Sequence, residues 1–158
     1  MKYFTIQTMP FLLLFTLLSC ETPPPPSIVK EAVEATFQGY VRDINQQDIE
    51  SISQYFSDDP TFYWVEDGNK VYPSKATLVE SLRGFTSQIE QVSMTIKDVD
   101  ILPHENTYAS LYASYAYQAQ FSSGPLIQLD GAMTILLKKE ESGWKFLLGH
   151  SSTQKERE

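Results

Sequence analysis

From Ala109 to Phe121 every second residue is apolar or aromatic: Ala109, Leu111, Ala113, Tyr115, Tyr117, Ala119 and Phe121. A period of two means a β-strand with one face buried. Laid flat at ~3.3 Å per residue, the segment from Thr107 to Phe121 would run ~50 Å. A compact domain of ordinary size is only about 35 Å across. The strand must therefore bend, and Ala109, Ala113, Ala116 and Ala119 leave room for it to do so. A bent strand needs neighbours that bend with it and a filling for the hollow they make.

The neighbours are legible on both sides. After a turn at Ser123-Gly124-Pro125, Ile127, Leu129, Gly131, Met133, Ile135 and Leu137 repeat the period of two. A second turn from Glu140 to Gly143 leads to Trp144, Phe146, Leu148 and His150, which the same period assigns to one inward face. Upstream, Val92, Met94 and Ile96 alternate, but Val99 and Ile101 continue in the opposite phase. A slip of one residue near Lys97-Asp98 predicts a β-bulge.

The filling is helical. Ser27 is the expected N-cap of a first helix, because Val29, Val33, Phe37, Tyr40 and Ile44 follow at helical spacing. Asp48 is positioned to cap a second, short helix with Ile49, Ile52 and Phe56 inward. Ser74 is positioned to cap a third with the stripe Leu78, Leu82, Phe85 and Ile89. Between the second and third lie Phe62-Tyr63-Trp64-Val65 and Lys70-Val71-Tyr72, joined through Asp67-Gly68, a hairpin signal. The resulting expectation is an α+β domain with three N-terminal helices packed on the concave face of a strongly curved antiparallel sheet. Such a cone-shaped half-barrel leaves a cavity where helices and sheet diverge.

The ends of the chain carry a different message. Lys2, an apolar run to Leu18, and Leu17-Leu18-Ser19-Cys20 have the layout of an export signal and are shorter than a bilayer crossing needs. Leu-Leu-Ser-Cys resembles the bacterial lipobox, which implies cleavage before Cys20 and lipid on its sulfur. The division expected is a signal peptide over 1–19, a lipidated Cys20 with a proline-rich tether over 20–27, the domain over 28–153 and a polar tail over 154–158. Pro23 to Pro26 favour a stiff extended spacer. Cys20 is the sole cysteine, so no disulfide within the chain supports the fold. The location expected is the bacterial cell envelope, with membrane contact through the anchor alone. The formal charge of −8 and the lack of a basic patch argue against a nucleic-acid partner.

The order of elements, with Asn45-x-x-Asp48, Tyr55-Phe56-Ser57-Asp58-Asp59, Gly143-Trp144-Lys145 and His150-Ser151-Ser152, resembles the nuclear-transport-factor-2-like superfamily. Within it, the SnoaL-like and ketosteroid-isomerase-like bacterial branch is the nearest likeness. The resemblance implies the cone fold but leaves activity open, since such folds host both enzymes and binding modules. In ketosteroid-isomerase-like members it implies an oxyanion-holding tyrosine at Tyr40 and a general base at the position of Trp64. An indole accepts no proton from carbon at neutral pH. The expectation is therefore a domain that binds a small apolar molecule or serves in assembly, without catalysis. The alternative is a SnoaL-like isomerase, cyclase or dehydratase acting on a small carbonyl compound, in which Tyr40, Tyr63 and His150 polarise the carbonyl and move protons.

The residues assigned to the pocket wall are Phe37, Tyr40, Phe62, Trp64, Tyr115, Tyr117, Met133, Trp144 and His150. Tyr40 and His150 are the candidates for chemistry. Glu66, Asp67, Asp58 and Asp59 read as turn-formers and caps. No nucleophile motif, phosphate loop or cofactor motif is present, and His104 and His150 have no third ligand in sequence to define a metal site. Tyr108 and Tyr112, on the outward phase of their strand, are placed to anchor a homodimer through the exposed side of the sheet.

Overall fold

A computed structural model describes residues 24–154. The expected leader, Cys20 and the tail beyond 154 lie outside the described residues. The chain runs α1 (Pro26–Asn45), α2 (Ile49–Ser53), β1 (Tyr63–Glu66), β2 (Asn69–Tyr72), α3 (Lys75–Thr86), β3 (Ile89–His104), β4 (Tyr108–Phe121), β5 (Leu126–Glu140) and β6 (Gly143–Thr153). The strands form one open, six-stranded sheet in the order β2-β1-β6-β5-β4-β3.

Local signals account for most boundaries. The α1 helix starts at Pro26, within the stretch read as tether. Pro25 is its extended N-cap, and proline is tolerated in the first turn because no intrahelical N–H is needed there. Ser27 is thus helical and caps nothing. Asp48 caps α2 by accepting from the Ser51 backbone N–H at 3.0 Å. Ser74 caps α3 with a reciprocal bond to Thr77. That helix stops at Thr86, so Ile89 opens β3 and does not extend the helical stripe. Asp67 and Gly68 both have positive φ, as a two-residue hairpin turn demands.

Three features of the sheet differ from the sequence expectation. The β1 strand runs parallel to β6, pairing Tyr63 with Leu148 through Glu66 with Ser151, so the sheet is mixed. Alternation tells which face of a strand is buried but not which strand lies beside it. The helices also do not all precede the sheet, because the β1–β2 hairpin enters it between α2 and α3, and α2 spans only five residues. Finally, Leu126 and Ile127 are exposed, where the β4–β5 hairpin outruns the helical cover.

Two bulges set the inward faces. In β3 the register steps from Ile96–Tyr115 to Asp98–Ser114, leaving Lys97 as the extra residue, where the phase slip placed it. In β6 the register steps from Leu137–Phe146 to Leu136–Leu148, leaving Leu147 extra. One inserted residue turns every later side chain to the other face. Trp144 and Phe146 therefore point inward, while His150 points outward opposite Thr134 and is exposed. The core between α1 and the concave face centres on Val33, Phe37, Phe56, Leu111, Ile135 and Phe146, all fully buried. No helix among the described residues is long and apolar enough to cross a membrane.

Candidate functional site

The concave face is not filled to its end. The C-terminal half of α1, the short α2, the β1–β2 hairpin, α3 and the inner faces of β3 to β6 enclose a cavity of about 410 Å³. That volume falls within the range of small-molecule sites. The helices give the wall Ile44, Ile52, Leu78 and Leu82, and the sheet gives it Met94 and Met133. The same sheet face carries the polar groups of Glu66, Tyr115, Tyr117, Ser151 and Ser152.

Two aromatic rings in the wall are held by glycines. Trp64 pairs with Gly149, and a Cβ on that glycine would lie 2.1 Å from the indole ring. Tyr115 pairs with Gly131, where a Cβ would come within 2.6 Å of the phenol ring. In each case the missing side chain is what lets the ring lie against the neighbouring strand. The Trp64 indole nitrogen donates to Ser151 Oγ at 3.1 Å, and Phe56 meets the ring edge-on at 6.0 Å. Trp64 is thus a satisfied structural ring that bounds the cavity.

Tyr40 comes from the last third of α1 and packs edge-on against Phe146 at 5.0 Å. Its pKa is held well above the usual phenol value, first by burial and then by the nearby Tyr115, Tyr117 and Glu66. Burial, with Tyr115 beside it, pushes Tyr117 up to about 12. Tyr115 is raised as well, by burial and then by Glu66 and Asp67. All three phenols are therefore neutral at physiological pH and can donate a hydrogen bond.

Glu66 is the residue that sequence reasoning missed. It stands two positions beyond Trp64 on β1, and its side chain lines the cavity. Half-buried, it has its pKa raised, mainly by loss of water and secondarily by the neighbouring Asp67. Among the described residues no hydrogen bond or ion pair reaches its carboxylate. Asp67 is differently employed: its carboxylate accepts from the Thr153 backbone N–H at 2.9 Å and pins the hairpin to the end of β6. The position beside the Asp-Gly turn made Glu66 resemble a turn residue. The signal that could have found it is its two-residue spacing from Trp64, which puts both on one face of β1.

The residues expected in the wall divide into three groups. Tyr40, Trp64, Tyr115, Tyr117 and Met133 meet around the cavity. Phe37, Phe62 and Trp144 are buried in the core instead, outside the cavity wall, because α1 and α2 cover that part of the sheet. His150 is corrected outright: the bulge at Leu147 sends it to the outer face. Tyr63 lies outside the wall too, with the Lys70 ammonium 4.4 Å from the centre of its ring. No three His, Cys, Asp or Glu side chains among the described residues converge as a metal site would require.

A one-sided sheet with a helix-covered hollow and a cavity of this composition defines a class, and the sequence comparison gives the family. Residues 33–155 match the model of the SnoaL-like domain, and the chain belongs to that family. Solved structures agree on the fold. A protein described as a dehydratase of the nuclear-transport-factor-2-like family from Streptomyces avermitilis superposes with a TM-score of 0.73 at 17% identity, covering 82% of this chain and 99% of that one. A nuclear-transport-factor-2-like superfamily protein from Salmonella enterica gives 0.73 at 16% identity, covering 84% and 95%. A ketosteroid-isomerase-like protein from Erwinia carotovora atroseptica gives 0.64 at 18% identity, covering 79% and 95%. At these identities the likeness carries the fold alone. No curated protein matches the sequence.

Proposed function

We propose that the domain holds a small, mainly apolar molecule in this cavity and does so at a membrane surface. The carrying observation is the cavity of about 410 Å³, lined mainly by apolar side chains with a few phenols and a carboxylate among them. Apolar walls supply affinity through burial, and the few polar groups orient the ligand. Lipid on Cys20 would provide the anchor. The α1 helix is 20 residues long, ~30 Å at 1.5 Å per residue, and the cavity takes its residues from the C-terminal end. The tether joins at the other end, so the cavity would face away from the anchoring bilayer. Native mass spectrometry of the chain from residue 21 onward, whose core lies wholly within the domain, tests the binding reading. A co-purified small molecule, absent after Met133→Trp fills the cavity, is the expected result. A clean spectrum from both, with no uptake from a library of fused-ring compounds, would sink it. For the anchor, Cys20→Ser should move the protein from the membrane to the soluble fraction.

One observation favours a second reading. The resemblance puts the indole of Trp64 where a proton acceptor is needed, and Glu66 brings a carboxylate to the same cavity. A carboxylate with a raised pKa can take a proton beside a carbonyl while a neutral phenol such as Tyr40 holds the carbonyl oxygen. The chain would then be an isomerase, cyclase or dehydratase acting on a small carbonyl compound. Turnover of such a panel that is abolished by Glu66→Gln and untouched by His150→Ala would establish this reading. Turnover indifferent to Glu66→Gln would remove it.

A further inference from the structure

The cavity wall is chemically one-sided. It holds the carboxylates of Glu66 and Asp67, four phenols and several hydroxyls, yet no lysine, arginine or histidine lines it among the described residues. The other carboxylates with a partner find it elsewhere: Asp43 with Arg42, Asp58 with Lys75, Asp59 with Lys138, Glu50 with Arg83 and Asp130 with Lys97. Of the two carboxylates in the wall, Asp67 is held by Thr153, and Glu66 has neither a hydrogen bond nor an ion pair among the described residues. A ligand bearing a carboxylate or phosphate would meet that charge in a space of low polarity with no cation to offset it, which excludes acidic ligands. A wholly apolar ligand would bury the carboxylate further and leave it unpaired.

A cation resolves both problems. Glu66 is near enough to Tyr40 and Tyr115 to act on both electrostatically, Tyr117 lines the same cavity, and Trp64 lies on the same face of β1. Ring faces attract positive charge, and the attraction grows where water is excluded. An ammonium donates charge-assisted hydrogen bonds to a carboxylate, which are stronger than neutral ones. The helical part of the wall, with Ile44, Ile52, Leu78 and Leu82, suits an apolar body. We infer that the ligand of this cavity is an amphipathic organic cation, with a protonated amine against Glu66 and a hydrocarbon or aromatic body against the helical wall. This rests on the reading of the cavity as a binding site and narrows it to a ligand class.

Three probes sharing one naphthalene body separate the possibilities: 1-naphthylmethylammonium, 1-naphthylmethanol and 1-naphthoate. Each is titrated calorimetrically at pH 7 into the chain from residue 21 onward and into its Glu66→Gln and Glu66→Asp variants. The ammonium is expected to bind at least about tenfold more tightly than the alcohol, with naphthoate weakest. Glu66→Gln should bring ammonium and alcohol within about twofold of each other, while Glu66→Asp keeps part of the preference. Equal binding of ammonium and alcohol to the unmodified chain overturns the inference but leaves a neutral-ligand pocket standing. So does an ammonium preference that survives Glu66→Gln, which would assign the charge recognition to another group. Binding of none of the three overturns the inference together with the binding reading beneath it.

Discussion

Gly149 and Glu66 lie on neighbouring strands, and each answers to a different physical constraint. A methyl group at Gly149 would occupy space now held by the Trp64 ring, at 2.1 Å from its atoms. Gly149→Ala should therefore cost ~1–3 kcal/mol of stability as the ring is forced aside. A urea unfolding midpoint unchanged from the parent would refute the ring-on-glycine contact. Glu66 is penalised by its own burial. Its folded pKa is raised above the unfolded value, so the native state holds the proton more tightly. Stability is then fullest below the ordinary glutamate pKa and falls as pH rises through the raised one. Glu66→Gln carries no such penalty, so its melting temperature should exceed the parent's at pH 8 and converge with it at pH 4. A gap that is constant with pH would show that Glu66 is solvated like any surface residue. Asp59 has the opposite sign. Lys138 first, then Thr61, hold its carboxyl well below the usual range, and that contribution is lost as acid protonates it. Glu66→Gln is thus predicted to stabilise the empty protein while impairing recognition, the usual trade at a functional site.

Among the elements, α3 contributes the most residues to the cavity wall. It packs on α2, β2 and β3 and supplies Leu78, Ser81, Leu82, Phe85 and Thr86 to the cavity wall. Its N-terminus relies on the Ser74–Thr77 capping box. Ser74→Ala should cost ~1 kcal/mol and speed amide exchange in α3 ahead of the sheet, with weaker ligand binding alongside. Exchange that quickens equally in β4 would instead mean global destabilisation. The two bulges show what a sequence can reveal about elements. The bulge at Lys97 was legible because a charged residue interrupts an apolar alternation, so the slip appears as a change of phase. The bulge at Leu147 sits between Phe146 and Leu148, and a run of three apolar residues fits either phase. Nothing local marks the inserted residue, and His150 was placed on the wrong face for that reason. The partnership of β1 with β6 was hidden for a related cause, since it joins segments far apart in the chain and leaves no trace in either pattern.

At the scale of the whole molecule, the alternating strands implied an α+β fold with a sheet, and separate apolar stripes implied the helices that pack on it. The charge of the cavity was not implied, because it depends on which side of a short hairpin strand a single glutamate faces. The outer side of the sheet remains open, with Tyr112, Thr134 and His150 in register across β4, β5 and β6, and Tyr108 and Tyr112 exposed. If two copies meet there, sedimentation should give twice the chain mass and Tyr112→Glu should halve it. A monomeric parent removes the contact. The seating of Trp64 and Tyr115 on glycines has a consequence for how such a protein can diversify. Two sides of the chamber are constrained, because any side chain beneath those rings must push them aside, whereas a Cβ at Gly84 in α3 would meet nothing. A lineage under pressure to accept a new guest would thus rewrite α3 and leave the sheet alone.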